Sequence, residues 1–367
     1  MKKVEEYFVP WVKGIPMYIS GHIELAWRRP DLHRMMSNEN PNQPSDKVLE
    51  AINKYGKLAN RYPDQGLVVR SKIAEINGLA GPENVMIGNG SSEVYDNVFR
   101  CFIDAGDEVI QMTPCFGIYK LRGMILGAKM VSVPMIYKDK YLHFNPDGVL
   151  NAITDKTKII AIANPNNPTG NFMDTKDFVR IAETGIPLVV DEAYVEFAGL
   201  KMSQVGLIKK YKNVIITRTL SKAYGLAGLR FGYALADKDV IAQISAALLP
   251  WNVGTIPMWA ALASFEDTEA LAYRVEFNNT EVEFIEKSLS DIPGLVIFPS
   301  QSNYILFDCG ATGKKGKDMV AFAETKSLIF RPETEKYGSD GWYRLTIGTK
   351  EENRMAVDVM HEFFAKK

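Results

Sequence analysis

The sequence predicts an α/β protein with a mostly parallel, doubly wound sheet and a second, smaller α+β domain. Short β-branched runs alternate with helical segments between residues 45 and 265, which is typical of parallel strands joined by crossover helices. After residue 265 a long helical segment precedes three apolar strand segments and a closing helix. We therefore divide the chain into an N-terminal arm at 1–44, a large domain at 45–265 and a small domain at 266–367.

The elements follow one another in a regular order. The arm is irregular and rich in Pro, Trp, Tyr and Asn, and the helix "SDKVLEAINKYGKLANRY", with Ser45 as its N-cap, opens the large domain. Seven apolar runs predict the strands of the large domain: "ENVMIG", "DEVIQMT", "KMVSVPM", "KIIAIANP", "IPLVVDEA", "NVIITRT" and "RFGYALA". The small domain begins with a helix at 266–290, continues with strands in "GLVIFPSQSNYILFD", "LIFRPET" and "WYRLTIG", and ends in a helix.

Composition excludes several classes of protein. The chain has 367 residues and a formal net charge of -1, so it carries no electrostatic footprint for nucleic acid or an anionic membrane. Cys101, Cys115 and Cys309 stand far apart, and neither they nor the histidines show metal-ligand spacing. We expect reduced thiols, no metal site and a cytoplasmic location. The most apolar region, at 241–265, is interrupted by Pro250 and Pro257 and predicts buried helices rather than a membrane span.

Ligands of a doubly wound sheet bind beyond the carboxyl ends of its strands, so the residues that follow each strand are informative. Gly90, Ser91 and Ser92 follow "VMIG" and open a helix. Backbone N–H groups and hydroxyls at a helix N-terminus form a phosphate site, and a plain N-cap is the alternative. The segment "GNGSSE" lacks the third glycine of a dinucleotide fingerprint, which argues against a nucleotide-binding dehydrogenase.

Two further strands end in residues that can do chemistry. Asp191 ends a run predicted to be buried, where a carboxylate needs a cationic partner unless it caps a helix, and Tyr194 can face the same cleft. Lys222 closes the next strand, where a crevice lysine can act as an amine nucleophile; a surface lysine is the alternative. Its polar neighbours in sequence are Thr219, Ser221 and Arg230. An amine, a carboxylate, a phenol and a phosphate site together match pyridoxal 5'-phosphate.

Several motifs resemble those of a known family. The segments "NPNNPTG", "DEAYVEF" and "TLSKAYGLAGLRFGY" resemble the fold-type I pyridoxal-phosphate aminotransferases. Three others, "SNENPNQPS", "RYPD" and "FRPETEKYGSDGWYRLTIG", narrow the resemblance to the histidinol-phosphate aminotransferase-like group. The resemblance covers nearly the whole chain from about residue 37. It implies transfer of an amino group between glutamate or 2-oxoglutarate and a phosphorylated amine or carbonyl compound, with histidinol phosphate as the leading substrate.

The resemblance also implies roles for single residues toward the cofactor. Lys222 would form the Schiff base and shuttle a proton, and Asp191 would pair with the pyridine nitrogen and raise its pKa. Asn167 and Tyr194 would bind the phenolic oxygen, and Phe116 would stack on the ring. The phosphate would be held by Gly90, Ser91, Ser92, Thr219, Ser221 and Arg230.

Other residues acquire substrate or partner roles from the resemblance. Tyr62 in "RYPD" resembles a tyrosine that reaches the neighbouring subunit's cofactor phosphate, which implies a homodimer with shared sites. Arg344 matches an arginine that clamps an acidic group of the substrate. Arg331 matches a second arginine used for phosphate-bearing substrates, and a structural salt bridge is its alternative role. Asn167 also borders the substrate, and Trp11 stands where the family has a tyrosine that touches the substrate phosphate.

The sequence departs from the family pattern at positions expected around the opening of the substrate site. These departures leave alternative substrates and reactions open. Besides Trp11, the segment "NENPNQPS" replaces the family's Tyr-Gly, and Arg28 and Arg29 have no assigned role. A decarboxylase of a phosphorylated amino acid would keep Lys222 and Asp191, and an aminotransferase for another small phosphorylated or an aromatic substrate is a further alternative. The intact set of reactive residues argues against a catalytically idle protein.

Overall fold

The strands and helices were assigned in a computed structural model that describes residues 3–15, 21–333 and 340–365. In chain order the strands are β1 (His33–Arg34), β2 (Val85–Asn89), β3 (Glu108–Thr113), β4 (Lys129–Pro134), β5 (Ile136–Lys138), β6 (Tyr141–His143), β7 (Thr157–Ala163), β8 (Leu188–Asp191), β9 (Val214–Thr219), β10 (Phe231–Leu235), β11 (Val296–Ile297), β12 (Tyr304–Asp308), β13 (Leu328–Ile329), β14 (Arg331–Pro332) and β15 (Trp342–Thr346).

The helices separate these strands as the alternating pattern predicts. In chain order they are α1 (Gly21–Arg28), α2 (Asp46–Gly56), α3 (Leu67–Ile76), α4 (Gly90–Phe102), α5 (Ile118–Ile125), α6 (Pro146–Asn151), α7 (Thr175–Ala182), α8 (Val195–Ala198), α9 (Lys238–Ile244), α10 (Thr255–Glu266), α11 (Thr268–Leu289), α12 (Gly316–Glu324) and α13 (Lys350–Ala365).

The central sheet has seven strands in the order β2-β10-β9-β8-β7-β3-β4, and they are the seven predicted strands. Neighbours from β4 to β9 pair in parallel, whereas β10 is antiparallel to both β2 and β9. The sheet is therefore mixed and mostly parallel, which confirms the predicted fold class. A parallel crossover needs about a dozen residues or more and usually a helix. Residues 220–230 contain only the short 3-10 turn Ala227–Leu229, so the chain reverses direction after β9.

Both faces of the central sheet are covered. On β7, Ile160 and Ile162 belong to one apolar cluster, while Ile159 and Ala161 belong to another. All four side chains are at most 2% exposed. Because successive strand residues point to opposite faces, this alternation places helices on both sides of the sheet. The carboxyl ends of the buried strands are thereby left as the edge where a ligand can enter.

The C-terminal part has a separate four-stranded antiparallel sheet, in the order β11-β12-β15-β14. Its apolar core runs from Val282 to Phe363 and also includes Met35. The prediction of an irregular arm is wrong for part of the arm, because it contains α1 and β1. Strand β1 pairs in parallel with β13, so this stretch packs on the C-terminal part. The domain boundaries at 44/45 and 265/266 remain our proposal.

Helix ends differ in detail from the sequence predictions. Ser45 is the N-cap of α2, but its side chain makes no capping hydrogen bond, and the helix ends at Gly56 rather than continuing to residue 62. The long helix predicted at 266–290 begins at Thr268, after α10 ends at Glu266. In the described part of the chain, every helix is too short or too polar to cross a membrane.

Candidate active site

A cavity of about 550 Å³ lies at the carboxyl ends of the central strands, and most of the predicted site residues line it. These are Ser91, Ser92, Phe116, Asn167, Asp191, Tyr194, Thr219, Ser221, Lys222, Arg230, Arg331 and Arg344. Residues from the arm complete the wall, and sequence reasoning assigned them no role: Trp27, Arg34, Ser37, Asn38 and Glu39. The cavity is therefore assembled from all three segments of the chain.

Lys222 lines the cavity from the turn that follows β9. Its Nζ donates a hydrogen bond to the backbone oxygen of Ser37 at 3.2 Å and lies 5.7 Å from the ring centroid of Tyr194. Burial, with the positive charge of Arg344 adding to it, lowers the pKa of Lys222 from 10.5 to about 8. The amine is therefore much closer to its neutral, nucleophilic form at neutral pH than an ordinary lysine is.

Asp191 stands at the end of β8 and is buried. Its Oδ2 accepts a hydrogen bond from the hydroxyl of Tyr119, and its Oδ1 accepts one from the backbone N–H of Ala193 at 3.0 Å. Burial raises the pKa of the Asp191 carboxyl, and the hydrogen bond from Tyr119 opposes this. The sequence analysis missed Tyr119, because nothing in the helix "FGIYKLRGMILGA" marks one tyrosine as a partner of a residue 72 positions later.

The hydroxyl of Tyr194 belongs to a hydrogen-bond network that connects residues from all three segments of the chain. It accepts hydrogen bonds from Asn38 Nδ2 at 2.9 Å and from Asn167 Nδ2 at 3.4 Å. Asn38 Oδ1 in turn accepts a hydrogen bond from Thr346 Oγ1 at 3.1 Å. Burial raises the pKa of Tyr194 to about 12, so the phenol keeps its proton at neutral pH. The position of Asn38 was missed, although the segment "SNENPNQPS" that contains it was singled out.

The N-terminus of α4 forms an anion cradle with the turn before β10. Gly90 has φ +70°, and a Cβ there would lie 2.4 Å from Nη2 of Arg230. A Cβ on Gly232 would lie 2.3 Å from the backbone nitrogen of Ser91. Arg230 Nη1 also reaches the Oγ of Ser221 at 3.5 Å. Glycine at these positions lets the guanidinium approach the first turn of α4, whose N–H groups lack intrahelical partners and favour negative charge.

Two arginines stand at the substrate end of the cavity and share one carboxylate. Oε1 of Glu333 lies 3.5 Å from Arg331 Nε and 3.5 Å from Arg344 Nη1. Arg344 also donates to Asn167 Oδ1 and, at 3.2 Å, to the backbone oxygen of Met36. The salt bridge weighed as an alternative for Arg331 is thus present, and Arg331 lines the cavity as well. Residues 334–339 of the motif "FRPETEKYGSDGWYRLTIG" lie outside the described residues.

Trp11, which was expected at the substrate, does not line the cavity of its own chain. Its Nε1 donates a hydrogen bond to the backbone oxygen of Ile125 at 3.1 Å, and its ring covers Gly127, where a Cβ would lie 2.9 Å from Trp11 Cδ2. The tryptophan that lines the cavity is Trp27. The expected position came from matching a motif near the N-terminus, where no local pattern fixes which tryptophan reaches the site.

Tyr62 also lies outside the cavity of its own chain. Its side chain is 76% exposed and stacks on Trp251, with ring centroids 4.2 Å apart. Arg28 and Arg29, which had no assigned role, form exposed ion pairs with Glu24 and Asp31. These two arginines are therefore explained locally, and the contact expected of Tyr62 needs a second subunit.

The residues of the cavity fit pyridoxal phosphate by their chemistry. The cradle at α4 supplies donors for a phosphate, Asp191 supplies a carboxylate for a protonated ring nitrogen, and Asn167 with Tyr194 supplies donors for a phenolic oxygen. Lys222 supplies the amine, and the rings of Phe116 and Tyr119 pack nearly perpendicular to each other with their centroids 6.2 Å apart. This set of groups can bind one phosphorylated aromatic aldehyde and leaves the two arginines for a substrate.

Comparison with known proteins identifies the same family that the sequence motifs resemble. Residues 30–360 match the model of aminotransferase class I and II. Histidinol-phosphate aminotransferase of Akkermansia muciniphila is 36% identical over 343 residues, 92% of each chain. An aromatic amino acid aminotransferase of Mycolicibacterium smegmatis is 35% identical over 342 residues, 92% of this chain and 91% of the other. The solved histidinol-phosphate aminotransferase of Sinorhizobium meliloti, in complex with pyridoxal-5'-phosphate, shares the fold with a TM-score of 0.87, 98% coverage of both chains and 24% identity.

Proposed function

Because this chain belongs to the aminotransferase class I and II family, we propose that it is a pyridoxal-phosphate-dependent enzyme that transfers an amino group from glutamate to a phosphorylated carbonyl compound, and back. The leading amine is histidinol phosphate, which is the substrate named for the relative from Akkermansia muciniphila. The single observation that carries the proposal is that Lys222, Asp191 and the cradle at α4 line one cavity.

The cofactor, when bound, supplies an electron sink that stabilises negative charge at the substrate carbon bearing the amine. Residues of the chain would transfer protons and orient the cofactor. The Lys222 amine, with its pKa lowered to about 8, can hold or release a proton near neutral pH. Asp191 would hold the ring nitrogen protonated, and Tyr119 fixes the carboxylate for that contact. The buried Tyr194 hydroxyl stays protonated and can donate to an oxygen of the ring.

The substrate would be bound by its negative charges. Arg344 is only 5% exposed, and its Nε has no hydrogen-bond partner among the described residues. A buried guanidinium with a spare donor suits a carboxylate or a phosphate, which accept charge-assisted hydrogen bonds. Arg331 is 30% exposed and stands nearer the opening, where a phosphate on the far end of an amine would meet it.

We further propose a homodimer in which Tyr62 serves the partner's site. Tyr62 and Trp251 form a stacked pair that is largely exposed, and Leu249 beside them is 71% exposed. Such an apolar surface is typical of a contact between subunits. The phenol would then contact an anion in the partner's cavity, whereas it lies outside the cavity of its own chain.

A second candidate is an aminotransferase for an aromatic amino acid. Trp27 is one of the residues that line the cavity, and the guanidinium of Arg34 lies 5.3 Å from the centroid of its ring. A tryptophan at this position offers a stacking partner for an aromatic side chain, and a relative with 35% identity is named an aromatic amino acid aminotransferase.

A panel of amino donors and acceptors separates the candidates. Each donor is mixed with stoichiometric holoenzyme, and conversion of the cofactor to its amino form is followed by absorbance. We expect glutamate and histidinol phosphate to convert it, and 2-oxoglutarate to convert it back. Return of the absorbance with 2-oxoglutarate excludes a pure decarboxylase, whereas conversion by phenylalanine but not by histidinol phosphate would establish the aromatic candidate instead.

A further inference from the structure

We propose that Arg34 determines specificity for a phosphorylated amine: its guanidinium, which the arm brings to the cavity, binds the phosphate at the far end of that substrate, beside Arg331. The inference rests on the proposed function, because it concerns the substrate of the same cavity. It assigns a role to a residue for which sequence reasoning found none.

The position of Arg34 follows from the pairing of the arm with the C-terminal part of the chain. In the pairing of β1 with β13, Arg34 lies opposite Ile329, two residues before Arg331, and both arginines line the cavity. Their side chains are 31% and 30% exposed, whereas that of Arg344 is only 5% exposed. A substrate whose inner end meets Arg344 would therefore extend its far end toward the two more exposed arginines.

The segment that carries Arg34 is anchored by residues of the site. The backbone oxygen of Met36 accepts a hydrogen bond from Arg344 Nη2 at 3.2 Å. The backbone oxygen of the next residue, Ser37, accepts one from Lys222 Nζ, also at 3.2 Å. Arg34 is thus only two residues away from backbone that the buried arginine contacts, and it belongs to the wall of the site rather than to a separate surface.

The guanidinium of Arg34 has donors to spare. Its Nε is buried and has no hydrogen-bond partner among the described residues. Its Nη2 lies 3.4 Å from Oε1 of Glu39, which is longer than the 2.7–2.9 Å of a charge-assisted hydrogen bond. Its other contact is with the ring of Trp27, 5.3 Å from the centroid, and a cation–π contact consumes no N–H donor. A planar fork with free donors suits the oxygens of a phosphate.

The charge of the ligand favours a phosphate over a carboxylate as the group that depends on Arg34. A phosphate monoester is close to a dianion at neutral pH and has three acceptor oxygens, so it can engage two guanidiniums at once. The Coulomb energy is proportional to the charge of the ligand, so loss of the Arg34 charge costs a dianion twice as much as a monoanion at the same distance. A substrate whose far end is a carboxylate should therefore depend on Arg34 less.

The alternative is that Arg34 serves only to hold Glu39 in place. If the ion pair is structural, loss of either partner should disturb the site in the same direction. If Arg34 binds the phosphate, Glu39 is a competing anion that lines the same cavity, and its loss should free the guanidinium and remove a repulsion. The two roles therefore predict effects of opposite sign for Glu39.

The test uses two ligands without an amine, so the measurement does not depend on turnover. Phenethyl phosphate and 3-phenylpropionate share a phenyl ring and a two-carbon spacer, and at about pH 8 the first is a dianion and the second a monoanion, because a phosphate ester loses its second proton near pH 6. Each is titrated by calorimetry into the holoenzyme, in which the cofactor's own phosphate fills the cradle at α4.

In Arg34→Gln the affinity for phenethyl phosphate should fall roughly tenfold or more, and by a larger factor than the affinity for 3-phenylpropionate. Arg34→Lys, which keeps the charge but loses the fork, should be intermediate, and Arg34→Met replaces Arg34→Gln if the latter fails to fold. Glu39→Gln should tighten binding of phenethyl phosphate. Arg28→Gln is the matched control, since Arg28 belongs to an exposed ion pair of the same arm, and it should change neither affinity.

An unchanged affinity for phenethyl phosphate in Arg34→Gln, or equal losses for the two ligands, would overturn the proposal. Weaker binding of phenethyl phosphate in Glu39→Gln would also overturn it and leave the ion pair as a structural contact, and an equal loss in Arg28→Gln would assign the effect to the charge of the arm as a whole. Failure of the proposed function is a different result: wild-type holoenzyme would not convert its cofactor with glutamate, whatever the two ligands show.

Discussion

The hydroxyl of Tyr119 donates a hydrogen bond to Oδ2 of Asp191, and both residues are buried beneath the cavity. Tyr119 belongs to α5, which follows β3, whereas Asp191 ends β8 two strands away in the sheet. A helix thus fixes the orientation of a carboxylate on a strand that is not its sequence neighbour. The phenol donates a hydrogen bond but brings no positive charge, so it orients the Asp191 carboxyl without supplying the cationic partner that a ligand would supply.

Replacing Tyr119 by phenylalanine should weaken cofactor binding. A hydrogen bond to a charged group contributes about 1.5–3 kcal/mol, which is roughly a ten- to hundredfold change in the dissociation constant. The constant is measured by titrating apoprotein with pyridoxal phosphate. Tyr343→Phe is the matched control, since Tyr343 is equally buried and its hydroxyl has no hydrogen-bond partner among the described residues. Equal affinities for the two variants would contradict the role of Tyr119.

The lowered pKa of Lys222 predicts a pH dependence. The apoprotein should capture pyridoxal phosphate covalently at a rate that rises with pH and levels off above about 8, where the amine has lost its proton. The rate is followed by stopped-flow absorbance, with Lys222→Ala as the blank. A rate that continues to rise toward pH 10.5 would show an ordinary lysine. Between pH 8 and 10.5 the unfolded state binds more protons than the native state, so this group's contribution to the free energy of unfolding of the apoprotein increases with pH in that window.

The shared site predicts complementation between two inactive chains. Tyr62→Ala and Lys222→Ala homodimers should both be weak or inactive, the first because each site lacks the partner's phenol. In a mixed dimer one site has both residues, so unfolding the two variants together and refolding them should restore part of the activity. If no activity returns, and Tyr62→Ala alone binds the cofactor as the wild type does, then Tyr62 does not serve a partner's site.

The two substrate arginines should differ in which half-reaction they support. Arg344→Ala should slow conversion of the cofactor by both glutamate and a phosphorylated amine, because each needs the buried guanidinium. Arg331→Ala should affect the phosphorylated amine more, by roughly ten- to hundredfold in kcat/KM for a lost charge-assisted contact. Single-turnover rates with each substrate measure this. Equal losses for glutamate and the phosphorylated amine in Arg331→Ala would mean that Arg331 acts only through its ion pair with Glu333.

The sequence was sufficient for the parts of the site that local patterns encode. A polar residue after a buried strand, such as Asp191 or Lys222, must lie at the carboxyl edge of a parallel sheet, and such residues meet there whatever their separation in sequence. The seven central strands were also predicted correctly, because a run of apolar residues indicates a strand that is buried on both faces. The reversed direction of β10 depends on the short link that precedes it, which the strand pattern itself does not record.

The remaining residues of the site depend on how distant segments pack. Asn38 contacts Tyr194 across 156 positions, and neither its type nor its spacing marks it as a site residue. Glu333 directly follows the short strand β14, and its burial beside Arg331 and Arg344 follows from the pairing of β14 with β15. A motif match assigned Trp11 a substrate role, and in its own chain Trp11 contacts Ile125 outside the cavity.

The central claim is that Lys222 is the amine that holds pyridoxal phosphate in this enzyme. Purified protein, reconstituted with the cofactor, is treated with borohydride, digested and examined by mass spectrometry for a peptide that carries a reduced pyridoxyl group. The account predicts a yellow protein whose colour borohydride removes, with the group on Lys222, and a Lys222→Ala variant that binds the cofactor through the cradle and Asp191 but retains no label. A colourless protein that does not take up the cofactor, or a label on another lysine, would contradict it.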